Sequence, residues 1–364
     1  MRIAVTGADG FLGWHTRVRL RALTDHDVIP VGRDHWAGLP DVVRSADAVL
    51  HLAGVNRGSA EAVEEANVEL ASALAAAVRG ARAPGGPRIV YADSIQRGNG
   101  TAYGNAKARA AAILAEAAEE TGSGFCDVVL PNLFGEHGRP NYNSFVATFV
   151  HKVVTGEEVA LQDREVELLH VQDAAQALLE ALVGAGRRQV RPQGQTTSVA
   201  AVLGILTDQF AVYRRGEIPT LPSRMHVNLF NTLRASMFPV GYPIPLVRHT
   251  DARGSLVETV RAHGSQGQTF LSTTVPGVTR GQHFHLRKME RFVVVGGRAR
   301  ISLRRMLKRP VVEFEVDGAT PVIVDMPTLW THKITNIGAS ELTTMFWTNE
   351  LFDPQNPDTY REDV

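Results

Sequence analysis

The sequence predicts an α/β doubly wound domain followed by an all-β domain, and three observations carry that prediction. The first half alternates short apolar runs with longer alanine-rich segments of helical period, the pattern of βαβ units around a parallel sheet. The last third has no long helical segment; short runs rich in Val, Ile, Thr and Phe, punctuated by Gly and Asp, suit an antiparallel sandwich or barrel. Between them the chain becomes a polar connector after about Arg187 and then gathers three prolines and a glycine from Met237 to Pro245. Such punctuation marks a boundary near Gly241, giving domains of 1–241 and 242–364.

In chain order, strands are expected at Arg2 to Thr6, Val28 to Val31, Ala48 to Leu52, Arg88 to Tyr91 and Asp127 to Leu130. Ala60 to Arg79 and Ala102 to Glu120 are rich in Ala, Glu and Leu and poor in breakers, so they read as helices. The later strands are expected at Thr269 to Val275, Arg291 to Val295, Ala299 to Leu303, Val311 to Val316, Val322 to Asp325 and Thr343 to Thr348.

At 364 residues the chain has room for two apolar cores. Lys+Arg and Asp+Glu both count 38, so no net field points to nucleic acid or an anionic membrane surface. The single cysteine, Cys126, has no partner for a disulfide or a thiolate metal site and reads as a buried thiol in a reducing compartment. No signal-peptide pattern precedes the first strand and no apolar run is long enough to span a bilayer, so the expectation is a cytoplasmic protein.

Thr6-Gly7-Ala8-Asp9-Gly10-Phe11-Leu12-Gly13 follows the first strand and opens a helix. In such a turn the first glycine allows the tight bend, the second lets backbone approach a pyrophosphate, and the third lets helix and strand pack closely. The second strand ends at Gly32-Arg33, where an acidic residue would bind a ribose 2′-hydroxyl; an arginine suits a 2′-phosphate, which favours NADPH, although a solvated turn arginine reads the same way. Tyr103 and Lys107 stand one helical turn apart on one face, with Ser94 at the end of the preceding strand segment. Ketone reduction by hydride needs a proton for the new alkoxide, and a phenol of pKa ~10 serves when a cation lowers it.

Further on, Gly277, His283, His285, Glu290 and Gly297 stand at the spacing G-x5-H-x-H-x4-E-x6-G. Alternation along a strand turns His283 and His285 to one face, and Glu290 reaches them from the next strand. Pro327 to Asn336 resembles the second motif of the cupins, which implies His332 as a fourth ligand; three imidazoles and a carboxylate would suit a divalent metal, with zinc preferred over iron, nickel or manganese.

The first set of residues, with Pro131-Asn132-Leu133-Phe134-Gly135 and His170-Val171-Gln172-Asp173, resembles the extended short-chain dehydrogenase/reductase family, a Rossmann fold. That resemblance implies a catalytic triad of Ser94, Tyr103 and Lys107 and a cofactor loop of Gly7, Gly10, Phe11, Leu12 and Gly13. It also places Leu52, Ala53 and Gly54 beside the nicotinamide ribose. Tyr91-Ala92-Asp93 departs from it, since relatives carry small hydroxyl residues ahead of the serine. The histidine-rich set resembles the first motif of the cupins, which are jelly rolls; the second motif is degraded, with Pro321 and Leu329 where glycines are usual.

Over the whole chain, His51 to Arg57, Ser94 to Gln96, Pro140 to Ser144, Arg253 to Ser255, Asn349 to Pro354 and Asn356 to Tyr360 are similar to the CapF/WbjC family of surface-polysaccharide enzymes. The resemblance implies a bifunctional enzyme acting on a UDP-2-acetamido-2,6-dideoxy-hexos-4-ulose towards UDP-N-acetyl-L-fucosamine. The cupin would epimerise C3 and the reductase would use NADPH at C4. It further implies a homodimer and substrate contacts from Asn56, Asn132 and Asn143. Lys333 and Glu258 are candidates for the epimerisation base by position. One competing reading keeps the reductase, on another nucleotide 4-ketosugar, and gives the cupin only binding or dimerisation. The last is a nucleotide-sugar-binding protein without turnover, which leaves the Ser-Tyr-Lys set unexplained.

Overall fold

The computed structural model describes residues 1–81, 85–264 and 266–364. Five strands, β1 (Arg2–Thr6), β2 (Asp27–Val31), β3 (Ala48–His51), β4 (Arg88–Ser94) and β5 (Phe125–Leu130), form a parallel sheet in the order β2-β1-β3-β4-β5, extended by Arg187–Val190. Each of the first five strands falls where it is expected, with ends shifted by up to three residues. The sixth is a correction, because the polar segment after Arg187 is read from sequence as a connector. An edge strand needs only its ladder hydrogen bonds, and the exposed Arg187, Arg188 and Gln189 show why no apolar pattern betrays it.

Side-chain alternation divides the core between the two faces of the sheet. Ala4, Val49, Ile89 and Phe125 face the helices Ala60–Arg79 and Ala102–Thr121, whereas Ile3, Val5, Leu50, Val90, Cys126 and Val128 face the other way, with Leu20 and Leu178 in the same cluster. Helix α1 spans Phe11–Leu23, α2 Leu39–Ser45, α3 Ala60–Arg79 and α4 Ala102–Thr121. The last two contribute Ala71, Ala75, Ala110, Ala111, Ala117 and Ala118 to one apolar cluster, small side chains that let helix backbones approach closely, around the fully buried Leu74 and Leu114. Truncating either leucine to alanine costs about 2–5 kcal/mol. Thr101 caps α4 through the Gly104 N–H at 3.1 Å, and Gly122 ends it in the left-handed region at φ 71°.

The β-rich part holds two five-stranded antiparallel sheets. One runs Ile244–Pro245, Val322–Met326, Glu290–Gly296, Leu342–Thr348, Gln268–Thr274; the other runs Val311–Asp317, Arg298–Arg305, Trp330–Asn336, Thr279–Phe284, Tyr360–Arg361. The six strands expected there form; the strand expected to carry His283 and His285 runs Thr279–Phe284 and ends one residue before His285, and Trp330–Asn336, which carries His332, is missed because it lacks an apolar run.

Chain contacts group residues 1–134 and 165–197 into one compact unit and 135–164 and 198–364 into the other. Helices Phe145–Thr155, Val199–Tyr213 and Arg224–Met237 therefore belong with the β-rich unit, up-chain of the Gly241 division expected from sequence. A buried polar cluster explains part of that grouping. Arg291 forks onto Asp325 at 2.8 and 3.0 Å and reaches the Gly216 carbonyl at 2.6 Å. The Tyr213 hydroxyl donates to Asp325 at 2.5 Å and meets the Tyr242 hydroxyl. Arg234, 1% exposed, donates to the Tyr213 oxygen at 3.3 Å and the Met326 carbonyl at 2.9 Å.

Candidate functional sites

The chain goes from β1 to β2 on one side and through β3, β4 and β5 on the other, so the strand order reverses between β1 and β3. The crevice beyond the carboxyl ends of those strands is where open α/β sheets bind ligands. Gly7, at φ 65°, turns the chain there. A Cβ on Gly13 would press into the Gly7 carbonyl, so only glycine lets α1 start so close to its own loop. Gly10 caps α1 with no side-chain hydrogen bond, and no acidic residue occupies the first turn, where Phe11 and Leu12 present their N–H groups. Such a helix end suits an anion.

The segment Leu52 to Gly54 is fixed by groups outside it. The Thr6 hydroxyl oxygen accepts the Leu52 and Ala53 N–H groups at 3.2 and 3.3 Å, which leaves its proton for His51 Nδ1 at 2.8 Å. His51 is then the neutral Nε2–H tautomer; burial and, secondarily, Lys107 push its pKa down to about 3. From α3, Asn67 receives the Val55 N–H at 3.1 Å and donates to the Val55 carbonyl at 2.5 Å. Sequence reading misses both Thr6 and Asn67; the only trace of Asn67 is a polar residue on the buried face of an alanine-rich helix.

Ser94, Tyr103 and Lys107 come together at the end of β4 and the start of α4. Ser94 lies near enough to the Tyr103 phenol to favour its anion. Lys107, 6% exposed, donates to the Ala92 carbonyl at 2.6 Å and lies 4.3 Å from the centre of the Tyr91 ring. Burial lowers its pKa to about 8, opposed by Asp93 and Asp127. Burial raises the Tyr103 pKa and Asp93 adds to that rise. The residue noted as a departure from the family thus sits within electrostatic reach of both catalytic candidates. Burial and the neighbouring Asp127 raise the Asp93 pKa to about 6, and Arg97 pairs with Asp93 at 2.7 Å and with Asp127.

The remaining candidates are more dispersed. Arg33 is exposed at the start of a 3-10 turn, Arg33–Gly38. A Cβ on the preceding Gly32 would stand 2.7 Å from Asp9 Oδ2, so a carboxylate reaches the end of β2 from the glycine loop itself. Asn56 is exposed beyond β3, and Asn132 donates to the Glu167 carbonyl at 3.2 Å in the same unit. Asn143 precedes helix Phe145–Thr155 in the other unit.

In the β-rich unit His283, His285, Glu290 and His332 place one donor atom each within 4.8 Å of all the others. Strand pairing sets His283 opposite His332, and a bulge at Gly281/His283, with Gln282 at φ 62°, adjusts the approach. Glu290 Oε2 lies 3.2 Å from His285 Nε2, 3.3 Å from His332 Nε2 and 4.0 Å from His283 Nε2. Metal bonds of about 2.0–2.2 Å put neighbouring ligand atoms roughly 3–3.5 Å apart, so most of this set is already at ligand spacing. Nδ1 of His285 donates to the Asp358 carbonyl at 2.6 Å and Nδ1 of His332 to the Trp330 carbonyl at 3.2 Å, assigned as N–H because carbonyls only accept. Their Nε2 lone pairs consequently face the cluster, and both atoms are buried without a hydrogen-bond partner. Burial holds His332 down to about 4, neutral as a ligand must be; the Glu290 carboxylate, despite burial, is held well below its usual value by His285 and the other two imidazoles. The four residues fit a divalent metal.

A cavity of about 250 Å³ opens against Glu290, with Lys288, Phe270, Phe352 and Asn356 in its wall. Lys288 Nζ stands 3.5 Å from Glu290 Oε1. The two residues suggested by position as an epimerisation base are elsewhere: Lys333 follows His332 on its strand and so points to the opposite face, and Glu258 is ion-paired with Arg261 at 2.6 Å.

Residues 3–190 match the NAD dependent epimerase/dehydratase family and residues 249–360 the polysaccharide biosynthesis C-terminal domain. A UDP-2-acetamido-2,6-beta-L-arabino-hexul-4-ose reductase of Pseudomonas aeruginosa is 35% identical over 99% of this chain and 98% of its own. The crystal structure of the capsular polysaccharide assembling protein CapF from Staphylococcus aureus aligns over 100% of both chains, with 31% identity and a TM-score of 0.61. A UDP-glucose 4-epimerase with UDP-glucose from Thermotoga maritima shares the fold over 58% of this chain and 83% of its own, at 18% identity and a TM-score of 0.53. Among the described residues no helix is long and apolar enough to cross a membrane. The chain belongs to the NAD dependent epimerase/dehydratase family, which implies a nicotinamide cofactor, and within it to the full-length CapF-like group that carries a C-terminal polysaccharide-biosynthesis domain.

Proposed function

We propose that this chain is a bifunctional nucleotide-sugar enzyme of surface-polysaccharide synthesis. It epimerises C3 of a UDP-2-acetamido-2,6-dideoxy-hexos-4-ulose in its cupin and reduces C4 with NADPH in its Rossmann domain, on the way to UDP-N-acetyl-L-fucosamine. The protein works in the cytoplasm as a homodimer, which the exposed Leu271 on the edge strand Gln268–Thr274 favours.

The observation that carries the reductase reading is the meeting of Ser94, Tyr103 and Lys107 where β4 ends and α4 begins. Burial and Asp93 hold the Tyr103 pKa above the ordinary tyrosine value, the opposite of the lowering by Lys107 expected from sequence; the phenol is protonated at neutral pH and so has the proton that reduction requires. A nicotinamide bound there would supply the hydride for C4; Tyr103 would give the carbonyl oxygen its proton as the carbonyl electrons move onto that oxygen. Ser94, beside the phenol, would orient both oxygens, and the Lys107 ammonium would offset the phenolate that remains. Asn56 and Asn132 contact the sugar nucleotide from the reductase. Arg33 supports a 2′-phosphate, and Asp9 is the group that opposes one.

For the cupin, a zinc ion held by His283, His285, Glu290 and His332 would polarise the C4 ketone and so acidify the C3–H. Glu290 and Lys288 in the cavity wall place the substrate beside that centre. The deciding experiment supplies metal-replete protein with the UDP-4-keto-6-deoxy-HexNAc and NADPH in deuterated water. NADPH oxidation with deuterium at C3 is the expected outcome. Oxidation without deuterium would leave the cupin as a binding or dimerising domain, and no oxidation would remove this substrate class.

A further inference from the structure

The segment Asn349 to Tyr360 has no part in either half-reaction as described, yet it makes the densest set of polar contacts to the loop between His285 and Glu290. The main-chain N–H groups of Leu286, Arg287 and Lys288 all donate to the Asp358 carboxylate, at 3.2, 2.9 and 2.7 Å. The next N–H, that of Met289, donates to Asn349 Oδ1 at 2.8 Å. Every N–H between the two ligands is therefore accepted by a side chain about 60–70 positions away. The Asp358 carbonyl in turn receives His285 Nδ1–H at 2.6 Å, fixing which nitrogen faces the cluster. One residue thus holds a ligand by its main chain and the loop to the next ligand by its side chain.

Asp358 is 2% exposed and sits at φ 46°, a backbone region that a non-glycine residue occupies at a cost and keeps only when its surroundings demand it. Its neighbours anchor it from both sides: Lys288 Nζ donates to the Pro357 carbonyl at 3.3 Å and Thr359 Oγ1 at 3.2 Å, Arg287 bonds Asn356, and Phe284–Tyr360 pair as adjacent strands.

We propose that Asp358 is the positioning residue of the metal centre: it presets His285 and the 286–288 loop so that His285 and Glu290 reach ligand spacing before any ion arrives. The proposal rests on the metal reading above. Orienting partners of this kind typically account for 10–100-fold in metal affinity.

The test is metal binding, not turnover. Zn²⁺ affinity is measured by chelator competition, and the absorption of the Co²⁺-loaded protein reports ligand geometry, for the full-length chain and its Asp358→Ala, Asp358→Asn, Thr359→Val and His332→Ala variants. Asp358→Ala is expected to weaken Zn²⁺ binding about 10–100-fold and to alter the Co²⁺ bands, with Asp358→Asn intermediate because it keeps the volume and one acceptor oxygen. Thr359→Val, which removes one Lys288 side-chain contact but none of the bonds that hold the main-chain N–H groups of the ligand loop, should bind within about twofold of the parent, far inside that range. Wild-type affinity and bands in both Asp358 variants would overturn the proposal. If the parent and His332→Ala bind equally weakly, the metal reading itself fails and the proposal with it. Should Asp358→Ala not fold, the Asn variant decides.

Discussion

Each unit buries a cluster of charged groups, and the two are built on different principles. In the β-rich unit Arg291, Asp325, Arg234, Tyr213 and Tyr242 satisfy one another: the carboxylate accepts a guanidinium fork and a phenol, and both tyrosines are held neutral by burial, Tyr242 up to about 12. In the parallel-sheet unit Asp93 and Asp127 share one half-buried guanidinium, Arg97, and Asp127 Oδ1 has no hydrogen-bond partner. A fully satisfied network defines a single packing; an under-compensated pair of acids leaves its charge to act on whatever lies beside it. What lies beside Asp93 is Tyr103 and Lys107.

Four substitutions probe that contrast. The largest effect is expected from the group the acids act on. Tyr103→Phe should lower the rate of NADPH oxidation about 10²–10⁴-fold while C3 deuterium exchange persists, because a general acid contributes that much; loss of both activities together would refute the division of labour. Asp325→Ala should act on stability, costing about 3–5 kcal/mol in urea unfolding, since it strands two buried guanidinium groups. An unchanged unfolding midpoint would mean that the network is decoration.

Asp93→Ser, restoring a small hydroxyl, should act mainly on pH dependence. Removing the anion lets the Tyr103 pKa fall, so the alkaline limb of reduction should move to lower pH. Stability carries the opposite signature. The Asp93 pKa is raised on folding to about 6, so its contribution is fully present below the unfolded value and is lost as pH rises through about 6. The serine variant should lack that decline between pH 4 and 6, and a parallel decline in both proteins would place its origin elsewhere. The smallest effect is expected at Asp9, which is largely exposed. Asp9→Asn should raise the preference for NADPH over NADH by no more than about fivefold, the scale of a surface charge, and no change would remove Asp9 from cofactor choice.

Groups whose role is local in sequence were legible in it. The glycine turn, the Tyr103–Lys107 spacing and the H-x-H-x4-E run each put their atoms together through one loop, one helix turn or one strand pair. Asp358, Thr6 and Asn67 act on main-chain groups of other elements, and nothing in their own neighbourhoods announces the partner. Arg187–Val190 escaped for a different reason: hydrogen-bond ladders at a sheet edge make no demand on composition. Lys333 failed as a candidate because adjacency to a ligand on a strand means facing the other way.

The compact units are interleaved along the chain, which leaves the first at Phe134, returns at Glu165 and departs again after Thr197. During synthesis the parallel sheet therefore cannot close until Arg187–Val190 has emerged, by which time residues 135–164 are already waiting for partners some 50 to 200 positions downstream, such as Thr328, whose hydroxyl donates to Glu136 at 2.8 Å. A gene cut at Gly241 would release helices Val199–Tyr213 and Arg224–Met237 without Asp325 and Met326, so the reductase half should be recovered as a soluble fragment only when the cut falls earlier or the β-rich partner is supplied in trans.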